Sequence, residues 1–105
     1  MIVAHVQFPI NTPDQNEFIK KMASTTSKYE GLAGLVRKYY MISENGKRAS
    51  GLYLWESKQA AEAWYNDDWQ KYMLDAWGEP AQIDYFDCPI IVDNEIPKTT
   101  VRDVA

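Results

Sequence analysis

The chain has 105 residues, 46% hydrophobic and 25% charged, which is one globular domain able to bury a modest core. Its net charge of −4 and pI of about 4.9 argue against nucleic acid or an anionic membrane surface as a partner, because both reward a basic face. The single cysteine, Cys88, allows no intrachain disulfide, and the opening MIVAHVQF has no basic n-region, so the expected location is cytoplasmic.

Residues 2–8, IVAHVQF, are β-prone and predict a first strand. Thr12 then reads as an N-cap, with Pro13 at the first helical position and Gln15 closing a capping box. The helix that follows carries Phe18, Ile19, Met22 and Ala23 on one face and is expected to end near Tyr29, before Gly31 and Gly34. Residues 35–44 predict a second strand. Asn45-Gly46 predicts a tight hairpin of type I′, which needs positive φ twice, and a third strand runs through Leu54 and Trp55. Ser57 can cap a second helix, which Asn66-Asp67-Asp68 restarts after a kink. Trp69, Tyr72, Met73, Ala76 and Trp77 form a helical stripe that Gly78 and Pro80 stop. Residues 82–92 predict a fourth strand, and 94–105 read as a polar tail that could contact a partner subunit.

The order β-α-β-β-α-β is the ferredoxin-like pattern: an α+β fold with a four-stranded antiparallel sheet and both helices on one face, here over residues 1–93. The hairpin also sets a register, with Glu44 opposite Lys47, Tyr40 opposite Gly51 and Lys38 opposite Tyr53. If the more aliphatic faces pack under the helices, then His5, Gln7, Tyr40, Tyr53 and Trp55 lie on the helix-free face. So large an aromatic surface calls for a cover, which predicts a homodimer with His5, Tyr40, Tyr53 and Trp55 at its interface.

The stretch Gly51–Trp64, GLYLWESKQAAEAW, within this element order resembles the dimeric α/β-barrel superfamily. The likeness is to its antibiotic-biosynthesis-monooxygenase group, and within that to the YdhR-like monooxygenases, over roughly residues 2–93. The resemblance implies two sheets paired face to face and a pocket between sheet and helices in each subunit. It implies oxidation of aromatic or polyketide-like compounds without metal or flavin, haem degradation, or lactone isomerisation.

The haem-degrading branch uses a strand asparagine, a tryptophan at the position of Trp64 and a haem-ligating histidine ten residues further on. Here those positions hold Val6 or Gln7, Trp64 and Leu74, and leucine cannot ligate iron. One His and one Cys make no metal-ligand cluster. Asp67 and Asp68 suit a helix first turn. No phosphate-binding glycine motif occurs, Cys88 before Pro89 reads as a buried inert thiol, and no catalytic triad can be built.

What remains is an aromatic pocket. Arg37 could hold a phenolate or enolate, Tyr39 could hydrogen-bond it, and Trp64 and Trp69 could stack on it. Each also has a plain reading: Arg37 as a solvated strand charge, Trp69 and Trp77 as core. His5 could serve as a general base or as an interface residue. Two functions follow, a cofactor-independent monooxygenase (or related isomerase) on a small aromatic or polyketide-like molecule, and a non-catalytic dimeric small-molecule-binding or assembly module of the same fold, which predicts a pocket packed shut by Trp64 and Trp69.

Overall fold

The computed structural model describes residues 1–96 and 98–101. The elements are β1 (Ile2–Pro9), α1 (Gln15–Ala23), a 3₁₀ turn (Thr26–Lys28), β2 (Leu35–Ile42), β3 (Arg48–Trp55), α2 (Lys58–Trp64), α3 (Asp67–Trp77), β4 (Gln82–Asp87), β5 (Ile90–Asp93) and β6 (Lys98–Val101). The first four strands form an antiparallel sheet in the order β2-β3-β1-β4, the arrangement expected of a ferredoxin-like chain. Among the described residues no helix is long and apolar enough to cross a membrane.

Local chemistry sets the helix ends. α1 starts two residues later than Thr12 suggested: Asp14 is the N-cap and accepts from the backbone N–H of Asn16. It also ends at Ala23, well before Tyr29. Ser24, Thr25 and Thr26 turn their hydroxyls back onto the carbonyls of Lys21, Met22 and Ala23 at 2.6, 2.7 and 2.9 Å, and the chain tightens into the 3₁₀ turn. Ser57 caps α2 and Asn66 caps α3 through the backbone N–H of Trp69, as their spacing predicts. Gly78, at φ +85°, closes α3 in the left-handed conformation.

The hairpin register is the expected one, with Tyr40 opposite Gly51 and Lys38 opposite Tyr53. Its turn differs from type I′. Gly46 has positive φ and Asn45 does not; Asn45 instead accepts from Ser43 Oγ and the Lys47 N–H. The strand expected over 82–92 is broken at Cys88-Pro89. β4 stays in the sheet, while β5 pairs with β6 in a separate hairpin, so a strand occupies part of what composition suggested was a tail.

The faces of β1 are as the sequence predicts, but those of the β2-β3 hairpin are the reverse of the expectation. β1 pairs Ile2 with Trp55, Ala4 with Tyr53, Val6 with Gly51 and Phe8 with Ala49. The aliphatic face of β1 and the aromatic face of β3 are therefore one face, because directly opposed residues project to the same side. The helices cover that face. Trp55 is 1% and Tyr53 3% exposed, and Phe18, Ala61, Trp69, Met73 and Trp77 pack above the strands. Tyr40 shares this side, so Tyr40, Tyr53 and Trp55 are not on the helix-free face; His5 is. The bare face carries Val3, His5, Gln7, Arg37, Tyr39, Leu52, Leu54 and Phe86.

Small residues make room for these rings. A Cβ on Gly51 would come within 2.7 Å of Tyr53 Cε1. Trp55 lies parallel to Tyr53 with ring centroids 6.1 Å apart, and its indole N–H donates to Tyr65 Oη at 3.2 Å. Replacing Trp55 by Ala is expected to cost about 3–5 kcal/mol. Gly51→Ala, which overpacks the same layer, should cost about 1–3 kcal/mol. Urea unfolding of the two variants measures both; a near-neutral Trp55→Ala would refute this assignment of faces.

Candidate active site

A cavity of about 420 Å³ lies between the helix-covered face of the sheet and the layer formed by α1, the 3₁₀ turn and α3. That is within the roughly 300–1,000 Å³ of small-molecule sites. Its floor is built from Val6 and Phe8 on β1 and the small residues Ala49 and Gly51 on β3. Phe18 and Met22 reach it from α1, and Tyr72, Met73 and Trp77 from α3. Phe18 and Met22 on α1, and Met73 and Trp77 on α3, are four residues apart, which brings each pair onto one helix face.

One end of the cavity is aromatic and cationic. Tyr29 packs edge-on against Tyr53 and Tyr40, with ring centroids 5.8 and 6.4 Å apart. The Tyr53 hydroxyl lies 3.5 Å from that of Tyr29, and Tyr40 Oη lies 2.9 Å from Thr25 Oγ1. Among these rings sits Lys38, its Nζ 3.6 Å from the ring centre of Tyr29, 3.8 Å from Tyr40 and 4.6 Å from Tyr53. A cation over ring faces is attracted by their quadrupoles. Burial acts the other way: desolvation, with a smaller push from Lys28, lowers the Lys38 ammonium to about 7. Burial also holds the Tyr53 and Tyr40 phenols above their ordinary values, so both stay neutral at physiological pH.

The residues expected to bind a ligand fall elsewhere. Arg37 and Tyr39 are on the bare face of the sheet, outside the cavity. Arg37 donates to Tyr39 Oη and to Asp93 Oδ2, both at 3.3 Å, and so ties β2 to the β5-β6 hairpin. Their distance from the cavity follows from the register, which pairs Arg37 with Leu54 and Tyr39 with Leu52 on the opposite face from Lys38 and Tyr40. Trp64 stands behind the cavity wall, 5.4 Å from Tyr29 between ring centroids, and its Nε1 is buried without a hydrogen-bond partner among the described residues. Trp69 is core, packed at 4.8 Å against Tyr65. Leu74 is exposed on α3, away from the cavity.

Lys38 is the group that sequence reasoning overlooked. Its signal was available: the hairpin register already set it opposite Tyr53 and beside Tyr40, a lysine on an otherwise aromatic face. Among the described residues no group of three or more His, Cys, Asp or Glu side chains could hold a metal ion.

The family model described as "Putative mono-oxygenase ydhR" matches residues 3–87, nearly the whole of the four-stranded domain. The chain belongs to this family. Solved structures share the fold. A monooxygenase from the gene ActVA-Orf6 of Streptomyces coelicolor, in complex with the ligand nanaomycin D, superposes with a TM-score of 0.63. It is 20% identical, over 83% of this chain and 86% of that one. A protein from Bordetella bronchiseptica described as a "putative antibiotic biosynthesis monooxygenase" gives a TM-score of 0.60 at 14% identity, over 83% of this chain and 96% of that one. No curated protein matches the chain.

The lowered Lys38 pKa has a consequence for this YdhR-family fold. The folded group releases its proton near pH 7, whereas the unfolded chain holds it to about 10.5. Between those values the unfolded chain binds more protons, so stability rises with pH; below about 7 both states are protonated and the term is flat. The urea midpoint of wild type is expected to gain on that of Lys38→Met from about pH 7 to about pH 9. Parallel profiles across the whole range would mean that Lys38 titrates normally.

Proposed function

We propose that this protein is a homodimeric monooxygenase that needs no cofactor and oxidises a planar aromatic or polyketide-like molecule in the cavity. The observation that carries this reading is the cavity itself, an open, ring-lined chamber with a cationic end in a member of a monooxygenase family. The nanaomycin D complex of the Streptomyces protein supports the class of ligand. The alternative is a non-catalytic dimeric small-molecule-binding or assembly module of the same fold; the pocket packed shut by Trp64 and Trp69 that it predicts is not seen, because neither residue fills the space.

The chemistry asks little of the protein beyond placement. A substrate methylene flanked by aromatic rings or a carbonyl loses a proton to give an electron-rich anion. The anion reduces O₂, and the balance is R₂CH₂ + O₂ → R₂C=O + H₂O, with all four electrons supplied by the substrate. The walls exclude water, and the cation stabilises developing negative charge. Oxygen uptake with anthrone as the probe is expected to consume one O₂ per anthrone converted. Met22→Trp, which fills the cavity from α1, should lower kcat/KM at least about tenfold, the cost of roughly 1.4 kcal/mol in transition-state access. Anthrone oxidation at the same rate in the filled variant would place the chemistry elsewhere or in solution.

The dimer of this proposal uses the bare sheet face with different residues from those first expected. His5 stays, joined by Tyr39, Leu52, Leu54 and Phe86 in place of Tyr40, Tyr53 and Trp55. Tyr39 on β2 is 49% and Phe86 on β4 56% exposed, large rings at the two edges of this face and typical of a surface that a partner covers. The β5-β6 hairpin leaves Ile90, Val92 and Val101 exposed beside it and would extend the same contact. Sedimentation equilibrium should give a dimer for wild type and a folded monomer for Leu52→Asp with Phe86→Asp; a monomeric wild type at micromolar concentration would refute the arrangement.

A further inference from the structure

We infer that Lys38 is the specificity-determining residue of the cavity, and that the cavity selects aromatic ligands carrying an ionised oxygen acid, such as a phenolate, enolate or carboxylate. This rests on the reading of the cavity as a small-molecule site.

Three observations carry it. The first is an unspent donor. Lys38 meets ring faces on three sides, yet none of the hydrogen bonds or ion pairs among the described residues involves its ammonium. An ammonium has three N–H donors, and a ring face satisfies its charge only in part. The second is a missing counter-charge. Among the described residues no Asp or Glu lines the cavity. Glu30 lines a shallow groove on the outer side of Lys38 together with Arg37, and makes no ion pair with it. The titratable groups that do face Lys38 are Tyr29 from the turn, Tyr40 on its own strand and Tyr53 from β3, with Lys28 adding positive charge. A half-buried cation without a carboxylate is costly, and a ligand that brings the anion removes that cost.

The third observation is the distribution of charge. The protein as a whole carries −4, yet the cavity is surrounded by cations. Lys21 lies 4.1 Å from the ring centre of Trp77 and Lys28 4.8 Å from that of Tyr72, and both rings line the cavity, as do the three beneath Lys38. Three lysines on the rings of one cavity favour an anion at this place.

A matched pair of probes tests this, 2-naphthoate and the uncharged 2-naphthamide, which share a ring system and differ in charge. Wild type is expected to bind naphthoate at least about tenfold more tightly, a difference of one 1.4 kcal/mol step. Lys38→Met should erase the preference and bind naphthamide within about threefold of wild type, while Lys38→Arg should keep much of it. Independently of folding of the variants, the preference of wild type should fall as pH rises above about 7, because the carboxylate stays ionised while Lys38 loses its proton. A second signature is optical: bound 4-nitrophenol should ionise at lower pH than the free compound in wild type and not in Lys38→Met. Equal binding of the two naphthyl probes to wild type, or a preference that survives in Lys38→Met, overturns the role of Lys38 and leaves the cavity as a ligand site. Binding of neither probe overturns both.

Discussion

The structure depends on a gradient of side-chain size along one face of one strand. On β3 the helix-covered positions run Ala49, Gly51, Tyr53, Trp55, from small to very large. At the large end, rings from β3, α2 and α3 and the loops between them close into an aromatic cluster. At the small end, the same sheet and helices stand apart and leave the cavity. Core and site are therefore one packing decision. Tyr53 belongs to both, since it is stacked on Trp55 on one side and forms the wall beside Lys38 on the other.

Seen this way, the cation at the cavity end is a product of the fold. Alternation along β2 gives Lys38 to the same side as Tyr40 and opposite Tyr53, and the 3₁₀ turn lays Tyr29 across it. That turn exists because the hydroxyls of Ser24, Thr25 and Thr26 stop α1 early. Had α1 continued to Tyr29, the ring would have been carried along the helix and away from the lysine. A run of four hydroxyl residues, TTS after a serine, so contributes to the electrostatics of a site on another element.

The sequence was most informative where local chemistry decides the outcome. The element order up to β4, the hairpin register, the caps at Ser57 and Asn66 and the stop at Gly78 follow from rules that act within a few residues, and the structure has all of them. The choice of face was not local. Both faces of the β2-β3 hairpin are apolar enough to be buried, and preferring the aliphatic one ignored the third strand. Pairing β1 with β3 puts Ala4 against Tyr53 and Val6 against Gly51, small beside large, which is the complementarity that decides burial. Because a strand has a period of two, that one inversion moved Arg37 and Tyr39 out of the site and brought Lys38 and Tyr40 into it. Trp64 and Trp69 were drawn to the right region, the layer behind the cavity, but as supports of its wall.

The chain belongs to the YdhR family, and its fold holds a ring-lined cavity of small-molecule size. The most direct test is to map where an aromatic ligand binds, by following backbone amide NMR signals during titration with anthrone. The account predicts shifts at Thr26, Ala49 and Gly51, whose residues line the cavity, with little change at Arg37, Tyr39 and Leu52 on the bare face. Shifts confined to the bare face, or none at saturating ligand, would contradict it.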